Sequence, residues 1–199
     1  MTKLDRSVSS PFGEDAIARD AAFLFGGELP PEVAKRIHTE CLRELDRLAR
    51  AETVVFVIGS YAERKKGRVE AVRDRLSSRS GAEAFLLDEI DPDVDVWEYV
   101  KFRVYLARCH YVVGVFEDND GGHELEIGEA DLSTTFVLER DYREASIDDD
   151  VEFEKYDAML ATLFDLLDRR GHLSCWTTEA ELAEETRRLG ARLGNATPP

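Results

Sequence analysis

Thr53-Val-Val-Phe-Val-Ile58 is the stretch on which the fold turns. The run is apolar and β-branched, without the alternation of a half-buried strand, so it reads as a strand buried on both faces. Gly59-Ser60-Tyr61 ends it. A strand covered on both sides needs helices above and below, which is the setting of a parallel sheet. The pattern recurs farther along the chain. Tyr111-Val-Val-Gly-Val-Phe116 is a second run of the same kind, and Ala82 to Leu87, Thr134 to Leu138 and His172 to Trp176 are shorter ones.

Helical stripes fill the intervals. Val69, Val72 and Leu76 mark one helix and Trp97, Val100, Val104 and Ala107 another. A short helix is expected from His123 to Ala130. Phe153, Tyr156, Leu160, Leu163, Phe164 and Leu167 give a strongly amphipathic one, preceded by Asp148-Asp-Asp150, a charge that favours a helix N-terminus. Thr178-x-x-Glu181 fits a capping box opening a last helix along Leu182, Leu189 and Leu193. Upstream, a short helix is expected over Asp15 to Phe25, and a stronger one from Pro31 through Val33, Ile37, Cys41, Leu45 and Leu48. Strands separated by helices predict an α/β fold, a three-layer α/β/α sandwich on a parallel sheet of about five strands, flavodoxin-like or Rossmann-like. Residues 1–51 read as an N-terminal helical extension, 52–194 as the α/β domain and 195–199 as a disordered tail.

The chain has 199 residues, long enough for one domain with an appendage. Its net charge is −16, and it holds 6 Lys against 20 Arg. Such a charge repels phosphate backbones and anionic membranes, so nucleic acid and membranes are disfavoured as partners. No apolar run approaches a membrane span, and MTKLDRSVSSPFGEDA has no apolar core of a signal peptide, so a cytoplasmic protein is expected. Acidic excess with few lysines resembles proteins of extreme halophiles. In molar salt the Debye length falls to about 3 Å, and the repulsion argument weakens. Cys41, Cys109 and Cys175 have neither zinc nor disulfide-framework spacing, and the four histidines fit no metal pattern. No metal site and no cofactor is expected: the chain has neither Walker A spacing nor G-x-G-x-x-G.

In a parallel sheet the ligand lies beyond the carboxyl ends of the strands. That rule selects 59–68, 88–97, 117–126 and 139–144. Asp118-Asn-Asp120-Gly-Gly-His-Glu-Leu-Glu-Ile-Gly-Glu-Ala130 is the most informative segment. A buried strand runs into adjacent glycines Gly121 and Gly122, which let a ligand approach the backbone, and then into a helix with open N–H groups. Asp118, Asp120, Glu124 and Glu126 bring carboxylates there, and Glu124 and Glu126, two apart, cannot share a helix face. After the first strand, Arg64-Lys65-Lys66-Gly67-Arg68 offers four cations, either a phosphate site with Gly59 and Ser60 or a surface loop paired with nearby acids. Asp88 ends the second strand as a sugar or base contact, or as a capping residue. Tyr61 is a stacking candidate, Trp97 a helix-stripe residue, and His123 a proton-transfer or capping residue.

Asp120-x-Gly122-x-x-x-Glu126-Ile127-Gly128 resembles the glutamate motif of nucleoside 2-deoxyribosyltransferases, within the wider group of TIR-like folds. The match covers the third strand and its helix. Strand–helix order extends it over 53–140, and residues 1–50 have no counterpart. His123 and Glu124 replace the small residues usual after the motif glycine, and Ile58-Gly59-Ser60-Tyr61 replaces the family's usual first-strand ending. The resemblance implies that Glu126 acts at the anomeric carbon of a nucleoside, a nucleotide or NAD, with Asp118 and Asp120 orienting the sugar. Gly59, Ser60 and Tyr61 would line the opposite wall. Related enzymes are often oligomeric, with the site completed by a neighbour, so the resemblance allows a homo-oligomer. A non-catalytic nucleotide-binding or sensing module is the alternative; it would keep Gly59, Ser60 and the basic cluster and dispense with Glu126.

Overall fold

The computed structural model of the chain describes residues 18–19, 21–23, 26–28, 30–36, 47–89, 97–117, 123–141 and 158–195. In chain order the elements are α1 (Pro31–Arg36), β1 (Thr53–Gly59), α2 (Glu63–Ser77), β2 (Ala82–Phe85), a 3-10 turn at Leu87–Glu89, α3 (Trp97–Leu106), β3 (Tyr111–Phe116), α4 (His123–Gly128), β4 (Thr135–Arg140), α5 (Ala158–Arg169), β5 (Leu173–Trp176) and α6 (Glu179–Asn195). The chain divides into two compact units, Met1–Arg50 with Ile90–Arg108 and Ala51–Glu89 with Cys109–Pro199. The first contributes α1 and α3, where Val100, Val104 and Tyr105 are buried. The second holds the sheet.

The sheet is five-stranded and wholly parallel, in the order β2-β1-β3-β4-β5. Its strand order explains the sequence pattern. β1 and β3 occupy inner positions, and every residue of both is buried, which is why they read as unbroken apolar runs. β2 and β5 lie at the edges and are only partly covered. On one face Val55 and Val57 meet Val69, Val72 and Leu76 of α2 and Leu182, Leu189 and Leu193 of α6. On the other, Phe56 stacks on Phe85 at 4.7 Å, and Phe116 meets Phe164 of α5 edge to face at 5.2 Å. Helices on both faces make the three layers that the strand–helix alternation requires. Each such buried side chain contributes about 1.5–3 kcal/mol of transfer free energy.

Two strands end two residues away from the sequence expectation. β2 stops at Phe85, and Leu87–Glu89 turns into a 3-10 helix. β4 runs on to Arg140, because Glu139 and Arg140 pair with Cys175 and Trp176 of β5; polar side chains at a strand end hide it from an apolar pattern. α6 opens on the expected box: Glu181 N–H donates to Thr178 Oγ1 at 3.2 Å, and Glu181 Oε2 accepts from Thr178 N–H at 3.3 Å. The expected start of the α5 helix at Phe153 and Tyr156, the Asp148–Asp150 run, and residues 37–46 of the N-terminal stripe lie outside the described residues.

Gly114, at the centre of β3, is a packing requirement. A Cβ there would lie 2.6 Å from Cε2 of Phe116 and 3.4 Å from Cδ1 of Ile127. The bare backbone lets Ile127, fully buried, seat α4 against β3. Ile127 is the neighbour of Glu126, so this contact sets the height of that carboxylate above the sheet.

Candidate functional site

The chain leaves β1 for β2 on one side and later returns to place β3 on the other. In open parallel sheets such a reversal leaves a crevice at the carboxyl ends of the two strands, here β1 and β3, and ligands bind there. Gly59, the last residue of β1, lines it with backbone: a Cβ would come within 2.8 Å of Val69 Cγ2 and 3.0 Å of the Val115 carbonyl. Ser60 follows, its Oγ accepting the Ala62 N–H at 3.4 Å just before α2.

Tyr61 turns its ring onto the core beneath α2, and its hydroxyl accepts the Leu87 N–H at 3.2 Å. Burial holds its phenol far above the ordinary value; the charges of Glu126 and Asp88 push it further, against the pull of the Leu87 and Asp88 N–H groups. The Glu126 carboxylate, in the first turn of α4 and half-buried, is therefore within electrostatic reach of Tyr61 across the crevice. Tyr61 stays a neutral phenol at any ordinary pH, a hydrogen-bond donor and never a base. Asp88, in the 3-10 turn, accepts from Lys66 Nζ at 2.6 Å, and that ammonium lies 6.0 Å from the Tyr61 ring centroid. The hydrogen bond and charge of Asp88 hold Lys66 above its usual pKa.

Beside this group sits a network that the sequence pattern did not reveal. Glu117, the residue after β3, has a side chain only 3% exposed. Its two oxygens accept Arg68 Nε and Nη2, both at 2.7 Å, and Oε2 also accepts Arg140 Nη1 at 2.9 Å. Arg140 lies over the Trp176 ring at 5.3 Å, and Arg68 Nη1 stands 3.5 Å from Glu179. The bond to Glu117 chiefly raises the Arg68 pKa. The signal was present in register: Phe116 pairs with Glu139, so the next step puts Glu117 beside Arg140 and then Trp176. The pairing could be read only once the strand order was known.

The basic cluster 64–68 therefore lies on the first turns of α2 and not in a loop, because the helix opens at Glu63. Lys66 and Arg68 face carboxylates. Arg64 and His123 fall within α2 and α4, and their side chains lie outside the described structure, as do Asp118, Asp120, Gly121 and Gly122 altogether. Of the sequence candidates, the structure brings together Gly59, Ser60, Tyr61, Asp88 and Glu126. This arrangement offers a carboxylate above a crevice, a neutral phenol opposite and a backbone wall without side chains. It suits a neutral polar ligand with developing positive charge.

Cys175 is exposed, and burial pushes the Cys109 thiol up to about 12, so that Cys109 is no nucleophile. Among the described residues no group of three His, Cys, Asp or Glu is placed to hold a metal ion, and no helix is long and apolar enough to cross a membrane. No curated protein matches the chain. A family model does, over residues 14–162, from the N-terminal segment through β1–β4 into α5 and short of β5 and α6. With three quarters of its length inside that match, the chain belongs to DUF8170, a family of unknown function.

Proposed function

We propose that the protein cleaves or transfers an N-glycosidic bond of a nucleoside, a nucleotide or NAD, with Glu126 at the anomeric carbon. The observation that carries this reading is the position of Glu126: first turn of the helix after β3, its charge felt by Tyr61 across the switch-point crevice. The resemblance of Asp120-x-Gly122-x-x-x-Glu126-Ile127-Gly128 to the deoxyribosyltransferase motif points to the same residue.

The chemistry follows from charge. As the bond to the base breaks, the sugar carbon gains oxocarbenium character, which a carboxylate stabilises or captures as a glycosyl ester. A departing nucleobase takes up a proton from solvent, whereas the nicotinamide of NAD leaves neutral without one; water or a second acceptor then resolves the sugar. Tyr61 donates a hydrogen bond from the opposite wall, and Asp118 and Asp120 orient the sugar hydroxyls. The engagement of Lys66 by Asp88 favours the nucleoside end of the substrate range at this corner.

The test is base release in molar KCl, which suits a chain of net charge −16. Protein is incubated with deoxynucleosides, nucleotides and NAD, and free base is followed by chromatography beside Glu126→Gln. Release that the variant lacks is expected. Absence of release from every substrate, with thermal stabilisation by one nucleotide, would instead make the protein a sensor.

A further inference from the structure

A groove of about 420 Å³ runs between α2 and α6, outside the crevice that holds Glu126. Its floor is small and apolar: Gly67, Ala71 and Val72 from α2, Leu182 and Ala183 from α6. A Cβ at Gly67 would meet nothing within 4 Å, so the groove is open at that end. Two guanidinium groups, Arg68 and Arg75, reach it from α2, seven residues and two turns apart on one face. Arg68 is held by Glu117, with its Nη1 3.5 Å from Glu179, a side chain 78% exposed and able to swing into solvent. Arg75 is exposed and has no ion-pair partner among the described residues.

We propose that this groove is a binding site for a small amphipathic anion, a flat apolar body carrying a carboxylate, sulfonate or phosphate. The body lies on Ala71, Val72, Leu182 and Ala183. The oxyanion bridges Arg75 and the Nη1 edge of Arg68, displacing the Glu179 carboxylate. The volume matches small-molecule pockets, which pair an apolar lining with a few fixed polar groups. Guanidinium forks are suited to planar oxyanions. The net charge of −16 sharpens the inference: the protein's overall field repels anions, so a saturable anion site has to come from local cations. The site is separate from the glycosidic reading and does not depend on Glu126.

The probe is 8-anilinonaphthalene-1-sulfonate, an aromatic body with one sulfonate, titrated into the full chain and followed by fluorescence. Saturable binding at one site is expected. Arg75→Glu should weaken it about tenfold or more, since it replaces an attraction with a repulsion at an exposed position that leaves the core untouched. Ala183→Trp should abolish it by filling the floor, with folding checked by circular dichroism and a cooperative thermal transition. Arg170→Glu, the same charge reversal away from the groove, and Glu126→Gln should leave the dissociation constant unchanged. Non-saturable fluorescence, or equal binding by wild type and Arg75→Glu, overturns the proposal, and does so even if Ala183→Trp fails to fold.

Discussion

Glu117→Ala removes a buried carboxylate that accepts three charge-assisted hydrogen bonds, at 2.7, 2.7 and 2.9 Å. A charged hydrogen bond is worth about 1.5–3 kcal/mol, and breaking a buried pair by deleting one partner costs about 3–5 kcal/mol. The two arginines are 18% and 27% exposed, so they rehydrate in part and the cost sits at the low end, about 3 kcal/mol. For a chain of 150–250 residues that lowers the thermal midpoint by about 6–12 °C. Glu117→Gln keeps the shape and one carbonyl acceptor but sets an amide against a guanidinium, and should fall between wild type and Ala. Trp176 is the reporter: it is buried, donates to the Leu138 carbonyl at 3.2 Å and lies beneath Arg140. The chain has two tryptophans, so a Trp97→Phe background leaves its fluorescence alone to follow urea unfolding. Molar KCl should not rescue the loss, because screening acts on exposed pairs far more than on buried ones. A loss below about 1 kcal/mol, or one that salt abolishes, would show that the network is a surface pair of little consequence.

Three further outcomes are expected. Gly114→Ala places a methyl 2.6 Å from Phe116 Cε2 and should cost about 1–3 kcal/mol as Phe116 or α4 shifts; base release should fall with it, read by urea unfolding and chromatography on the same protein. His110 accepts the Val54 N–H on Nδ1 at 2.9 Å, and burial lowers its pKa below the ordinary 6.5. Its stabilising effect is thus full above that value and is lost as pH falls through it toward the folded pKa, so the thermal midpoint should drop below pH 6.5, with a shallower slope in His110→Asn. Raising KCl to molar levels should raise the thermal midpoint by screening a net charge of −16, whereas an unchanged midpoint would mean that the carboxylates do not repel one another in the fold.

The parts of the fold that were legible in the sequence are those whose residues answer only to their own element. Thr53–Ile58 and Tyr111–Phe116 read as inner strands because burial on both faces leaves no polar position. Thr178 and Glu181 read as a cap because the box is local. The end of β4 was hidden because Glu139 and Arg140 are strand residues by virtue of β5, not by their own polarity. The same holds for the site. Tyr61 could be chosen from strand-end position, and Glu126 from the resemblance of its motif to that of the deoxyribosyltransferases. Glu117 could not be told from a turn carboxylate until register put Arg140 next to it and α2 brought Arg68 over it. Charge in sequence is anonymous; a partner from another element gives it a role.

Glu117 and Glu126, both after β3, thus invite a comparison that separates scaffold from chemistry. Glu117 is enclosed, with both oxygens taken by arginines, and cannot act on a ligand without dismantling the network. Glu126 is half-buried on a helix seated by Ile127, and its charge is felt by the Tyr61 phenol, which burial keeps neutral. Replacing Glu126 by Gln keeps the shape and removes one negative charge from a crevice that also holds Asp88, so stability should hold or rise slightly while base release disappears. Replacing Glu117 by Gln should do the reverse: a stability loss of about 1–3 kcal/mol, with turnover per folded molecule largely kept. The pair is measured in one buffer by urea unfolding and by base release. If Glu126→Gln loses stability as Glu117→Gln does and leaves turnover alone, Glu126 is a second structural carboxylate, and the catalytic reading goes with it.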